Sequence, residues 1–132
     1  MNIQQILRYL YPSAVEVVQW SVSDNAIVRW SASLGQQPTS AELAAAELPS
    51  AKAATISANR AECSRRIFAR YPAGRQSSVA LGVYSGPEAE AQAQTMKDWI
   101  SDMVAAENTA ADAIEAATTV QAVEAVTVAW PV

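Results

Sequence analysis

The chain has 132 residues, enough for one domain of ordinary size, and 51% of them are hydrophobic, so a core can form. Much of that fraction is alanine, which buries little area per residue, and we therefore expect a thin, Ala-rich helical core. The formal net charge of −4 argues against a general nucleic-acid binder, and the absence of histidine excludes Ser/His/Asp triads, Cys/His pairs and His-based metal sites.

The first segment, MNIQQILRYLYP, predicts a short amphipathic helix. Ile3, Ile6, Leu7 and Leu10 fall on one face, and Pro12 stops the helix. Polar residues interrupt the apolar part, so we do not expect a signal peptide. No apolar run in the chain approaches the ~18–20 residues that span a bilayer, and we expect no membrane partner.

Residues 14–33, AVEVVQWSVSDNAIVRWSAS, predict a β-hairpin. Apolar and polar residues alternate over 18–23, and a second apolar run covers 27–30. Between them, Asp24 and Asn25 tolerate the backbone conformations of a tight turn. A lone hairpin is marginal in water, so this one is expected to lie on helices or to add to another sheet.

The tryptophans of the hairpin leave two interpretations open. Trp20 and Trp30 either pack in the core under the hairpin or anchor a partner protein, because tryptophan is enriched both in cores and in interface hot spots. We therefore take both as candidate partner-binding residues. Trp99, by contrast, lies on a long apolar helical stripe and is expected to be structural.

From residue 39 onward the pattern is helical. Four segments place Ser or Thr three residues before an acidic residue or Gln, which is the spacing of a capping box: TSAE (39–42), SGPE (85–88), TAAD (109–112) and TTVQ (118–121). Together with Pro49 and Pro72 they predict helices over about 40–47, 50–71, 87–107, 110–117 and 119–127. Residues 73–86 are expected to be irregular, with one helical turn over 79–81.

These elements predict an α+β protein that is mostly α. A short N-terminal helix and one β-hairpin are followed by an Ala-rich helical bundle of four to five helices. We expect a single domain over 1–132, in which 1–34 hold the first helix and the hairpin and 39–132 form the helical part.

The basic residues are concentrated in one stretch, which contains Arg60, Arg65, Arg66, Arg70 and Arg75. This stretch is either a solvated helix face with one Glu–Arg ion pair, or an interface patch that meets an acidic partner, with nucleic-acid binding as a third alternative. We take Arg60, Arg66 and Arg70 as candidate partner-binding residues.

Other chemical signals are weak. Asp98 and Asp102 lie on the same face of a predicted helix, and we expect this face to be exposed to solvent. The spacing of the glycines matches no phosphate-binding loop. Cys63 is the single cysteine, so no internal disulfide forms, and it is expected to be a small buried hydrophobe in a protein made in a reducing cytoplasm. We expect no enzyme activity, no catalytic residue, no metal and no cofactor.

Two parts of the chain resemble small proteins encoded with tailed-phage tail and tail-fibre genes, the XkdW-like family. The first is IVRW followed by LGQQPTSAEL, within residues 26–47, and the second is MKDWISDMVAAENTAADAIEAATTVQAVEAV, within 95–130. The resemblance implies a virion or virion-assembly protein, without catalytic residues, whose hairpin and following loop are held against other tail or tail-fibre proteins in a multi-subunit assembly.

Three functions remain open at this point. The chain is a structural or adaptor protein of a phage tail at the baseplate or fibre, located in the virion after synthesis in the host cytoplasm. Alternatively it is a tail-fibre assembly chaperone that leaves the particle, or a small bacterial enzyme or regulator unrelated to phage.

Overall fold

The computed structural model describes all residues from 1 to 132. The first helix, α1 (Ile3–Leu10), lies within the segment predicted to be helical and ends before Pro12. The side chain of Asn2 caps it by accepting a hydrogen bond from the Gln5 amide at 3.0 Å, which satisfies one of the free amides of the first turn. Ile6 and Leu7 are fully buried and Ile3 packs against the same cluster, but Leu10, the last residue of the predicted apolar face, is 38% exposed.

The predicted hairpin is confirmed, with strands β1 (Trp20–Ser23) and β2 (Ala26–Trp30) in antiparallel register. Asp24 and Asn25 form its two-residue turn with φ of 49° and 57°, the left-handed conformation that a type I′ turn requires. The register pairs Trp20 with Trp30 and breaks at a bulge between Ser21 and Val22. A short 3-10 turn over Ala32–Leu34 follows.

One long helix, α2 (Ser40–Arg70), replaces the two helices predicted over 40–47 and 50–71. Its start is the predicted capping box: the Glu42 amide donates to Thr39 Oγ1 at 3.2 Å, and the Thr39 amide donates to the Glu42 carboxylate at 2.7 Å. Pro49 lies inside the helix and does not end it. Pro49 is exposed, so water can reach the Ala45 carbonyl that lacks its helical partner.

A second correction concerns residues 73–86. Residues Ala73–Ala80 form the helix α3, which begins directly after Pro72, and only the segment from Leu81 to Gly86 is irregular. Pro72 cannot donate a helical hydrogen bond, but the Arg75 and Gln76 amides donate to its carbonyl and start the new helix.

The helix α4 (Pro87–Ala116) also runs through a predicted break, because the TAAD segment is not a helix start. Thr109 lies inside α4 and donates from Oγ1 to the Ala105 carbonyl at 2.9 Å, a common bond for a threonine within a helix. Gly86 rather than Ser85 precedes the first turn. The last helix, α5 (Val120–Glu124), is capped by Thr119, one residue later than the TTVQ spacing predicts.

The fold class is confirmed: 64% of the chain is helical, with one two-stranded antiparallel hairpin and four α-helices after it. The chain divides into two compact units, and the first boundary between them along the sequence falls within α2, after Thr55. Residues 1–55 and 117–125 make the hairpin unit, and residues 56–116 and 126–132 make the second, helical unit. The single domain remains a prediction.

Each unit has its own small apolar cluster. In the hairpin unit, Ile6, Leu7 and Trp20 pack with residues of α2, and the inner faces of both strands cover them. In the helical unit, Cys63, Ile67 and Met103 form the cluster. Both clusters are small, as the alanine content leads us to expect.

Candidate functional site

The two tryptophans of the hairpin have different environments, because Trp20 is buried and Trp30 is partly exposed. Trp20 is 1% exposed and belongs to the apolar cluster of the hairpin unit, so it takes the core alternative and offers no surface to a partner. Trp20 is therefore no longer a candidate partner-binding residue. Trp20 and Val22 are two residues apart on β1 and therefore face the same side of the hairpin, where both pack in the apolar cluster.

Trp30 is half-buried and is held by two contacts. Its ring meets Tyr11 edge-on, with centroids 5.1 Å apart, and its Nε1 donates to the Gly35 carbonyl at 2.9 Å. Gly35 has a φ of 81°, which fits glycine, and this conformation turns the loop back toward the strand end. The tryptophan before the Gly-Gln-Gln-Pro loop thus fixes that loop and keeps part of its ring exposed.

Four valines of the hairpin unit are exposed, and we refer to them together as the valine patch: Val15, Val17, Val18 and Val28. Their exposed fractions lie between 55% and 66%. Val17 has a φ of 72°, a left-handed conformation that is unfavourable for a β-branched residue. The sequence shows the run of β-branched residues before Trp20, but it does not show that their side chains face solvent.

Hydrogen bonds hold the strained segment in place. The Val17 amide donates to the Trp20 carbonyl at 2.6 Å, and Arg29 Nη1 donates to the Val17 carbonyl at 2.7 Å. Arg29 lies in β2, so this bond ties the segment around Val17 to the second strand. The strain at Val17 is therefore imposed by specific partners on both sides of the residue.

A polar group ties the same segment to α1. Arg8 donates to Glu16 Oε2 from Nε at 3.0 Å and from Nη2 at 2.7 Å, and Gln4 donates to the other oxygen. The hydrogen bond from Arg8 is the main cause that lowers the pKa of Glu16, and Gln4 adds to it. Glu16 is thus ionised at neutral pH and anchors the segment from its polar side.

The arginine stretch is largely paired within the chain. Glu62 accepts from Arg65 Nη2 and from Arg66 Nε, both at 2.6 Å, and these bonds lower its pKa to about 2. Arg60 lies on the same helix, with its Nε 3.5 Å from the Glu107 carboxylate. Arg60 is therefore an ion-pair partner of α4 as well as an exposed cation, and no free basic patch forms around it.

Arg66 and Arg70 contact aromatic rings. The guanidinium of Arg66 lies 5.2 Å from the centre of the Trp130 ring, and that of Arg70 lies 4.5 Å from the centre of the Trp99 ring. Tyr71 meets Trp99 edge-on at 5.7 Å. We call these four side chains Arg66, Arg70, Tyr71 and Trp99 the cradle. Trp99 is structural, as expected, but half-buried at this surface.

Glu107 is a buried residue that our sequence reasoning missed. Its side chain is 7% exposed, and its Oε1 has no hydrogen-bond partner. The signal was present, because Glu107 lies four residues after Met103 on the apolar stripe of α4, but the predicted helix ended there. Burial raises the pKa of the Cys63 thiol, and the charge of Glu107 raises it further.

The remaining candidates offer little chemistry. Asp98 and Asp102 are both exposed on α4, as expected for a solvated face. The hairpin unit has an open cleft of about 340 Å³ between α1 and α2, lined by amide, alanine and arginine side chains. No three Cys, Asp or Glu side chains lie close enough together to hold a metal ion.

Comparisons with protein-family models, with curated proteins and with solved structures found no significant match. None of the helices combines the length and the apolar character that crossing a membrane requires. The surfaces of the chain therefore carry the functional argument. Two of them are unusual: the valine patch with its strained segment, and the cradle with its bound aromatic segment.

Proposed function

We propose that the chain is a structural or adaptor protein of a bacteriophage tail, located at the baseplate or tail fibre and acting through protein–protein contacts. The observation that carries the proposal is the valine patch. Single exposed apolar side chains are ordinary on protein surfaces, but a group of large apolar side chains on one surface is typical of an interaction site.

Backbone strain supports an interaction at the patch. A left-handed conformation costs an L-residue about 1–2 kcal/mol, and the cost is highest for β-branched side chains. Strain of this kind persists where the surroundings enforce it, and it is enriched at functional positions. At Val17 the strain keeps a large apolar side chain in solvent, which favours a partner that covers it.

The resemblance to tail and tail-fibre proteins supports the class of partner. Its first part, residues 26–47, includes β2, the Trp30–Gly35 contact and the capping box at Thr39. We therefore propose that the partner is another tail or tail-fibre protein, which packs an apolar surface of its own on the valine patch. An assembly chaperone that leaves the mature particle is the second candidate, because exposed apolar side chains also suit transient binding.

The experiment compares incorporation of two double variants into tails of the phage that encodes the chain. Val18→Asp with Val28→Asp places charges in the patch, and Leu81→Asp with Val83→Asp changes two equally exposed apolar residues of the helical unit. Both variants are expected to keep the parent circular dichroism, because all four side chains are more than half exposed. We expect the first to lose incorporation by at least about tenfold, since burying an unpaired charge is costly, and the control to retain it.

Mass spectrometry of purified particles separates the two candidates. An adaptor is present in mature tails, whereas a chaperone is found only with the fibre protein during assembly. Normal incorporation of a folded Val18→Asp, Val28→Asp variant would place the interface elsewhere and would refute the role of the patch.

A further inference from the structure

Residues 126–132, VTVAWPV, form an extended arm after α5. They have no regular secondary structure and belong to the helical unit, whereas α5 belongs to the hairpin unit. Val126, Val128 and Trp130 are partly buried, while Thr127 and Ala129 are exposed. This alternation is typical of an extended segment with one face on a surface.

The arm is anchored by its aromatic residue. Trp130 packs on the apolar cluster of Cys63, Ile67 and Met103, and Arg66 of the cradle covers its ring at 5.2 Å. Tryptophan brings a large apolar area at low entropic cost, and a guanidinium over its face adds a cation–π attraction. These contacts hold the indole of Trp130 between the apolar cluster and the Arg66 guanidinium.

Side chains of the cradle also bind the main chain of the arm. A main-chain oxygen of Val132 accepts from Trp99 Nε1 and from Arg70 Nη1, both at 3.2 Å. Arg70 is held in place by Trp99 and by the Tyr71 ring, 5.6 Å away. The cradle thus contacts an aromatic residue, Trp130, and a main-chain oxygen two residues further along the chain, at Val132.

The arm is bound by side chains of the cradle and not by a backbone ladder. Its own backbone makes one internal hydrogen bond, from the Trp130 amide to the Val128 carbonyl at 3.1 Å. The backbone hydrogen bonds outside helices and strands do not join residues 126–129 to the rest of the helical unit. The segment that connects α5 to Trp130 can therefore change direction without breaking such a backbone bond.

We propose that the arm is exchangeable and that it binds the cradle of a second copy of this chain, which links the copies. The second copy is the partner because the sequence seen in the cradle is the chain's own, so an exchanged arm makes the same contacts. Binding within one chain is favoured by an effective concentration of the order of millimolar, so exchange requires a comparable concentration of copies. The inference does not depend on the phage assignment.

The test uses full-length chains in which p-benzoylphenylalanine replaces exposed Ala129, so that Trp130 is kept. Chains with natural nitrogen and chains labelled with ¹⁵N are mixed in denaturant, refolded together at about 1 mM and cross-linked by light. Complete exchange in pairs would make about half of the cross-links between the arm and α2 or α4 join a light and a heavy peptide. At about 1 mM roughly half of the arms are exchanged, so we expect a mixed fraction of about a quarter. After refolding at about 1 μM these mixed cross-links should be at least tenfold rarer, because the arm then binds its own chain.

Two controls keep the outcome specific. The same photo-reactive residue in place of Leu81, which is 83% exposed, reports general association and should give no mixed cross-links to the cradle. Trp99→Phe keeps a ring but removes the donor to Val132, so it should lower the total yield of cross-links between the arm and the cradle several-fold, within and between chains alike. An unchanged total yield would refute the cradle as the binding site of the arm. Cross-links confined to peptides of one isotope at about 1 mM, or equal mixed yields from the Leu81 position, would refute the exchange.

Discussion

Replacing Glu107 by methionine should stabilise the protein. The carboxylate is 7% exposed, its Oε1 has no hydrogen-bond partner, and its counter-ion is Arg60 at 3.5 Å. Removing a carboxylate from water costs several kcal/mol, and only a close, well hydrogen-bonded partner offsets that cost. Methionine has a similar length and removes the charge without leaving a large cavity.

The size of the effect follows from the exposure of the two partners. Arg60 is 68% exposed, so its charge stays hydrated and the pair contributes at most about 1 kcal/mol. A buried methionine gains about 1.5–3 kcal/mol of apolar burial, and replacing buried ion pairs by apolar residues stabilises other proteins by about 1–4 kcal/mol. We therefore expect Glu107→Met to raise the free energy of unfolding by about 2 kcal/mol.

Urea unfolding followed by circular dichroism measures this change. With a slope of about 2 kcal/mol per molar urea, the midpoint should rise by about 1 M. Arg60→Met alone should lower the stability by up to about 1 kcal/mol, because it removes the cation beside the buried carboxylate, and the double variant should match Glu107→Met. A Glu107→Met protein that is less stable than the parent by more than about 1 kcal/mol would show that the carboxylate has stabilising partners, and our reasoning would be wrong.

Three further predictions concern α2. Pro49→Ala should raise stability in thermal melts by about 2 kcal/mol, because it restores a helical hydrogen bond at an exposed position, and an unchanged melting temperature would contradict this. Thr39→Ala should lower the free energy of urea unfolding by about 1 kcal/mol through loss of the capping box, whereas Ser40→Ala should have little effect. The pKa of Glu62 is lowered from 4.5 to about 2, so its ion pairs stabilise the fold above pH 4.5 and this contribution is lost as the pH falls toward 2. An NMR titration of its carboxyl carbon with a midpoint above pH 4 would disprove that assignment, and Glu62→Gln should remove this part of the acid dependence.

Local chemistry was sufficient for the features that neighbouring residues determine. The bounds of α1 follow from Asn2, the apolar spacing and Pro12, and the hairpin turn follows from Asp24 and Asn25. Each involves residues within a few positions of one another, so the sequence displays both partners together. The capping box at Thr39 is of the same kind.

The candidate sites were predictable only in part. The arginines Arg66 and Arg70 stood out by their density, but Trp130, which one of them covers, lies more than sixty residues further along the chain. The valine patch had a visible run of apolar residues, yet the segment around Val17 is tied to the second strand by Arg29. Contacts between residues that are distant in the sequence leave no local pattern. Neither the valine patch nor the cradle could therefore be predicted from composition or spacing.

By itself, the sequence determined the class of the fold, the hairpin and the starts of its best-capped helices, because propensity and capping act over one or two turns. Only the tertiary structure decided how far the helices run, which tryptophan is buried and that Glu107 enters an apolar stripe. Pro49 and Thr109 carry local signals for a break, but α2 and α4 each bury residues on both sides of these positions. The continuous packing of those faces outweighs a cost of a few kcal/mol at one residue, and that balance is set by the whole fold.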